Sequence, residues 1–342
     1  MTEPTEFDVV IVGAGFAGMY MLHRARGMGL KARVYDSAGG VGGTWYWNRY
    51  PGARCDIESM EYSYQFDDEL QQEWEWTERY AAQPEILRYA EHVADRLGLR
   101  PDMQFNTRVL SATYGDDERW AVKLDTGEDL TTQFLIMATG CLSSANIPDF
   151  KGRDTFEGDT YHTGRWPHAP VDFTGKRVAV IGTGSSAIQS IPIIAEQASE
   201  LYVFQRTAAY TVPARNGPID QNYVEEVKAD YAGFRARNSQ MVTAFGSNVP
   251  LNDVSALAVS EEEREAKYWE RWEHGGFFFL GAFNDLMLNA DANATAGQFV
   301  RDRIREIVQD PEVAERLLPS TVIGCKRLCL DTHYYATYNR PN

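Results

Sequence analysis

Residues 7–36 read FDVVIVGAGFAGMYMLHRARGMGLKARVYD, and the fold turns on them. The apolar run Val9, Val10, Ile11 and Val12 has strand length and feeds Gly13-x-Gly15-x-x-Gly18. Tyr20, Met21, Leu22 and Ala25 then carry a helical pattern. Strand, tight glycine turn and helix in that order expose backbone N–H groups at a helix N-terminus, where a pyrophosphate binds. Residues 31–35 make a second strand pattern ending in Asp36, whose carboxylate falls where a ribose hydroxyl is held. A glycine turn that only packs helix on sheet is the alternative, and the terminal acid argues against it.

The plan recurs in residues 176–216, KRVAVIGTGSSAIQSIPIIAEQASELYVFQRTAAYTVPARN, around Gly182-x-Gly184-x-x-Ala187. Alanine at the third position still permits close helix packing. Two such units in one chain predict two dinucleotides. Asp36 stands 23 residues after Gly13; the residue 23 after Gly182 is Gln205, with Arg206 next. A carboxylate repels a 2′-phosphate and a guanidinium pairs with it, so the second site is predicted to take NADPH. Ser185, Ser186 and Thr207 add hydroxyls for the phosphates.

Between the two turns, residues 39–56 read GGVGGTWYWNRYPGARCD. Four glycines by Gly43 allow a ligand to approach the backbone closely. Trp45, Tyr46, Trp47 and Tyr50 add flat surfaces that either face a ligand or pack a core. A GG-containing loop after the second strand is common in flavoproteins that bind two dinucleotides, so the first site reads as an FAD site. Asp56, after Pro51 and Gly52, is either a turn acid or a residue facing the flavin.

Composition narrows the partners. Lys and Arg number 33 against 49 Asp and Glu, a formal net charge of −16. That balance repels phosphate backbones and anionic membranes, so neither nucleic acid nor membrane is an expected partner. The acidic start MTEPTEFD lacks a leader's apolar core, and FFFLGAF at residues 277–283 is too short to span a bilayer, so a cytoplasmic protein is expected. Cys55, Cys141, Cys325 and Cys329 are scattered and read as free thiols; the six histidines are dispersed, and no metal site is expected. A helix is expected over residues 83–98, strands near 107–114, 120–124 and 133–138, and helices from 218 to 319, with a capping box at Ser260-x-x-Glu263.

Phe156, Gly158, His162, Trp166 and Pro167 fit the pattern F-x-G-x-x-x-H-x-x-x-W-P, and the chain resembles the Baeyer–Villiger monooxygenases. FQRT followed by VPARN, and Lys326-Arg327 before LDTHYY, extend the likeness over essentially the whole sequence. The resemblance implies an α/β fold of two Rossmann-like dinucleotide-binding domains, for FAD and NADPH, with an inserted helical segment. The expected division is 1–145 for FAD, 146–217 for NADPH, 218–319 for the helical insertion and 320–342 for a return to the NADPH domain. Family chains continue past Asn342 and return to the FAD domain. The resemblance also implies the site. Gly13, Gly15, Gly18, Asp36, Thr44, Trp45, Trp47, Asp56, Tyr62 and Val109 would serve FAD. Gly182, Gly184, Ser185, Ser186, Arg206, Thr207 and Lys326 would serve NADPH. Arg327 would lie over the flavin as the catalytic cation, held by Asp56, while His162 and Trp166 would couple NADPH binding to movement. The implied reaction inserts one oxygen atom of dioxygen beside a ketone carbonyl, giving an ester or lactone. An N- or S-hydroxylating flavin monooxygenase, or an inactive dinucleotide-binding fragment, is the alternative.

Overall fold

A computed structural model describes residues 5–249 and 251–342; part of the acidic start, residues 1–4, lies outside them. In chain order the first half carries β1 (Thr5–Val12), α1 (Phe16–Gly27), β2 (Ala32–Tyr35), α2 (Thr44–Trp47), α3 (Asp68–Glu73), α4 (Gln83–Arg96), β3 (Met103–Gln104), β4 (Val109–Tyr114), β5 (Trp120–Leu124) and β6 (Asp129–Met137). Then come β7 (Arg177–Ile181), α5 (Ser185–Gln197), β8 (Glu200–Phe204), β9 (Thr211–Pro213), α6 (Gln221–Ala229) and α7 (Tyr231–Gln240). The chain closes with α8 (Glu261–His274), α9 (Ala290–Ile307), α10 (Pro311–Leu317), β10 (Cys329–Asp331) and α11 (Tyr334–Thr337). Two compact units result. One joins the residues up to Arg49 with Gln83–Ala169, and the other joins Tyr50–Ala82 with Pro170–Asn342.

The first unit is built on a six-stranded sheet of order β3-β2-β1-β6-β5-β4. β1 sits between two parallel neighbours, β2 and β6, and this explains its unbroken β-branched run: Val9, Val10 and Ile11 are buried on both faces. Each such side chain contributes about 1.5–3 kcal/mol by leaving water. The strands expected near residues 107–138 are β4, β5 and β6, paired antiparallel. β6 begins earlier than its apolar pattern suggests and also runs parallel beside β1, with Ile136 opposite Ile11, so meander and nucleotide lobe share one sheet. α1 buries Gly18, Met19, Leu22 and Ala25 on one face. A Cβ at Gly18 would overlap the Gly13 carbonyl oxygen, which is why the helix approaches the turn so closely only with glycine there.

In the second unit β7 and β8 run parallel, with Val180 opposite Val203, and α5 connects them. Ile188, Ile191, Ile194 and Ala195 form the buried face of that helix. β9 and β10 pair in parallel, placing Cys329 opposite Thr211 and tying the last part of the chain to the strand after the second glycine turn. The helical segment supplies much of the second unit's core. Tyr268 and Trp272 of α8, Phe279 and Phe283 of the aromatic run, and Phe299 of α9 are all buried there. The Phe279 ring stacks on Tyr268 and Phe299 with centroids 5.6 and 5.8 Å away, so this part of the run packs helices. Both bonds of the Ser260–Glu263 capping box are present at the start of α8.

Candidate active site

A linked group of polar side chains lies within the second unit, around Asp56. Pro51 and Gly52 turn the chain against α5. Gly52 has φ +75°, and a Cβ there would overlap the Gln189 carbonyl oxygen, so the turn presses directly on the helix backbone. Asp56 follows, its side chain only 4% exposed. One carboxylate oxygen accepts from an Arg327 Nη and the other accepts from Gln189 Nε2 at 3.0 Å. The same Nε2 donates to the Arg54 carbonyl at 3.2 Å, and the Tyr50 hydroxyl donates to Gln189 Oε1 at 2.8 Å. Burial pushes the Asp56 carboxyl above the usual range, opposed by Arg327, Gln189 and Arg54. Burial prevails.

Arg327 reaches Asp56 from the loop before β10, and its side chain is 60% exposed. Its guanidinium carbon stands 5.1 Å from the centre of the Phe277 ring, a cation–π contact. The cation is therefore fixed at one end by a buried carboxylate and along its side by an aromatic face, and its other donors meet no acceptor among the described residues. Such a group can bind an anionic oxygen without reorganising. Lys326 beside it is exposed. The first residue of the aromatic run thus differs from its neighbours: Phe279 and Phe283 are core, while Phe277 faces the arginine.

The first glycine turn lies in the other unit. Gly13 has φ +110°, a region L side chains rarely adopt. Asp36 accepts from the Ala14 N–H at 2.6 Å and from the Ala38 N–H at 2.7 Å, so the acid that ends β2 also fixes the turn. The GG loop folds onto the same backbone: Gly42 N–H donates to the Ala14 carbonyl at 3.1 Å, and a Cβ at Gly43 would come within 2.9 Å of the Gly15 Cα. Among the described residues no side chain caps α1 at Gly15. This cradle of bare backbone with uncapped N–H groups fits a pyrophosphate. Thr44 is exposed, Trp45 is buried and Trp47 half-buried, its ring edge-on to Tyr46. Val109 opens β4, whereas Tyr62, like Asp56, belongs to the second unit.

The second glycine turn is more open. Gly182 has φ +107°; among the described residues nothing lies within 4 Å of a Cβ built at Gly182 or Gly184, and no side chain caps the start of α5. The Ser185 hydroxyl lies 3.3 Å from Cys329 Sγ, linking the helix start to β10. Ser186 and Thr207 are half-buried, and the Thr207 carbonyl accepts from Thr183 Oγ1 at 3.3 Å, which joins the glycine turn to the chain just past the end of β8. Arg206 is exposed while Gln205 donates to the Arg316 carbonyl at 2.8 Å. In the fingerprint stretch, which belongs to the first unit, Phe156 is exposed and its ring folds over Gly158. His162 Nδ1 accepts from the Gly164 N–H at 3.1 Å and so caps a short turn, and the ring of Trp166, next to Pro167, packs tilted against Tyr161 with centroids 5.3 Å apart. Gln189, Phe277 and Arg54 belong to the Asp56 group, and sequence reasoning gave none of them a role. A glutamine one turn into a helix and a phenylalanine in an apolar run carry no local signal of such a role.

The profile of the pyridine nucleotide-disulphide oxidoreductases matches residues 10–250, and the chain belongs to that family. Among its relatives are a phenazine N-monooxygenase of Lysobacter antibioticus and a Baeyer–Villiger monooxygenase of Pseudooceanicola batsensis. Each is 44% identical over 99% and 100% of this chain, respectively. The chain spans 63% of the length of either one. A solved structure of oxidized steroid monooxygenase bound to NADP superposes with a TM-score of 0.93 at 55% identity, over 99% of this chain and 65% of that one. The likeness to Baeyer–Villiger monooxygenases read from the fingerprint is borne out. No helix among the described residues is long and apolar enough to cross a membrane.

Proposed function

We infer that the chain carries the nucleotide-binding and arginine-bearing part of an FAD-dependent, NADPH-consuming Baeyer–Villiger monooxygenase that acts on a ketone with dioxygen to give an ester or lactone. The observation that carries this reading is the pair itself: a buried aspartate holding an otherwise open arginine in the unit that also bears the second glycine turn. FAD, when bound, supplies the acceptance of hydride from NADPH and the activation of dioxygen.

The chain's own residues do the rest. Gly13, Gly15 and Gly18 present the backbone to the FAD pyrophosphate, with Asp36 at the ribose and the GG loop, Thr44, Trp45 and Trp47 beside it. Gly182, Gly184, Ser185 and Ser186 would hold the NADPH pyrophosphate, and Arg206 and Thr207 its 2′-phosphate, with Lys326 a further contact. The NADP of the steroid monooxygenase structure supports that choice. Arg327 would offer its remaining donors to negative charge developing on oxygen, and Asp56 would keep the guanidinium oriented. His162, with Nδ1 occupied as an acceptor, serves better as a hinge cap than as a general base. A cytoplasmic setting suits the acidic composition and four free thiols.

The test is the visible spectrum of the purified chain reconstituted with FAD, before and after NADPH under nitrogen, followed by air and a panel of ketones. Bound flavin that bleaches with NADPH and then yields lactone is the expected result. Flavin that binds but is not reduced by NADPH would overturn the assignment of the second site. The N-oxidising relative motivates one comparison: amine oxidation with no lactone would replace the reading by that of a nitrogen-hydroxylating flavoenzyme.

A further inference from the structure

We propose that Gln189 is a positioning residue whose side-chain amide orients the Asp56 carboxylate and, through it, the Arg327 guanidinium. Its place in a catalytic cycle rests on the function inferred above, but the geometry does not. Gln189 Nε2 faces two acceptors, Asp56 Oδ1 at 3.0 Å and the Arg54 carbonyl at 3.2 Å. Only the NH₂ end of the amide can meet both, so its orientation is dictated. The Tyr50 hydroxyl then closes the opposite end at 2.8 Å. Both amide hydrogens and the amide oxygen are thereby used.

Two further observations make this contact decisive. The Gly52 turn touches the Gln189 backbone, leaving no slack between α5 and the segment that carries Asp56. Arg327 is mostly exposed, so its position follows the carboxylate that anchors it. The charged or titratable groups that act on Asp56 are Arg327 and Arg54, and its charge is felt in turn by Tyr50, Cys55, Tyr80 and Cys329. None of these replaces the amide donor on Oδ1. Gln189 also stands one turn beyond Ser185 and Ser186, so the helix that starts at the second glycine turn is the one that sets the aspartate.

The experiment is an infrared titration of the full-length chain without cofactors, following the protonated-carboxyl band that Asp56→Asn removes. Removing a donor from a carboxylate favours its neutral form, and Gln189→Met should raise the midpoint of that band by about one pH unit. Tyr50→Phe, which keeps the donor but removes the hydroxyl that holds the amide's other end, should raise it by less and serves if Gln189→Met does not fold. An unchanged midpoint in folded Gln189→Met, or in Tyr50→Phe where Gln189→Met does not fold, overturns the proposal. In the reconstituted enzyme Gln189→Met should lower kcat about tenfold or more with the KM for NADPH nearly unchanged. Loss of NADPH affinity with kcat intact would instead make Gln189 a binding residue and overturn the positioning role. A shifted midpoint in a chain that takes up neither cofactor would uphold the geometry and sink the functional reading alone.

Discussion

Glu61→Gln should make the chain's stability less sensitive to pH, and the structure sets both sign and size. Glu61 lies in the second unit, where its carboxylate accepts the Gly246 N–H at 2.6 Å. Burial pushes its carboxyl up to about 7, with the neighbouring Glu58 adding to the rise and Gly246, Asn238 and Arg235 opposing it. The folded chain therefore keeps a proton that the unfolded chain, near 4.5, gives up. Below the lower value both states are protonated and the group costs nothing. As pH climbs through the window to about 7 the unfolded state is increasingly favoured, and above it the full penalty stands. Between about pH 5.5 and about pH 8.5 this amounts to roughly 2 kcal/mol of lost stability. Glutamine keeps the acceptor for Gly246 but cannot ionise. Urea unfolding of both chains at the two pH values should show the variant gaining about 2 kcal/mol relative to the native chain on going to high pH. A relative gain below about 0.5 kcal/mol would mean that Glu61 ionises at its ordinary value in the folded state and would refute the reasoning.

Three other outcomes follow from the site. Arg206→Ala should weaken NADPH binding by about 10- to 100-fold and leave NADH binding almost unchanged, measured by titration calorimetry; equal losses would remove the 2′-phosphate assignment. Arg327→Ala should still allow anaerobic bleaching of bound FAD by NADPH while abolishing ester formation, and a normal lactone yield would refute the catalytic role proposed for it. Gly43→Ala, at φ +53° and against Gly15, should reduce FAD affinity and lower Tm by several degrees; unaltered flavin binding would show that the GG loop is not part of the cradle.

What could be read in the sequence was what depends on near neighbours. Gly13, Gly15 and Gly18 announce a turn because steric demands at each act within a few residues, and β1 announces burial on both faces by its unbroken apolar run. The Ser260 capping box is local in the same sense. Asp56 and Arg327, 271 residues apart, have no such mark, and their pairing came from the family resemblance rather than from spacing. Gln189 and Phe277 could not be found even that way. Their roles depend on which face of α5 meets the Pro51–Gly52 turn and on where the loop before β10 comes to rest, and both are tertiary outcomes. β6 shows the same limit in the fold: its pairing with β5 is a matter of short turns, but its parallel seat beside β1 requires the chain to return over more than a hundred residues.

The excursion of residues 50–82 bears on how this gene can be divided. These residues follow the first glycine turn in the sequence yet fold with Pro170–Asn342. A cut near residue 145 would put Asp56 on one polypeptide and Arg327 on the other, and the second piece would carry an arginine with no counter-ion and a helix α5 stripped of its covering turn. A domain exchange between homologues faces the same constraint. To transplant the arginine with its support, a chimera must take two separate stretches of the donor sequence and leave a recipient segment threaded between them.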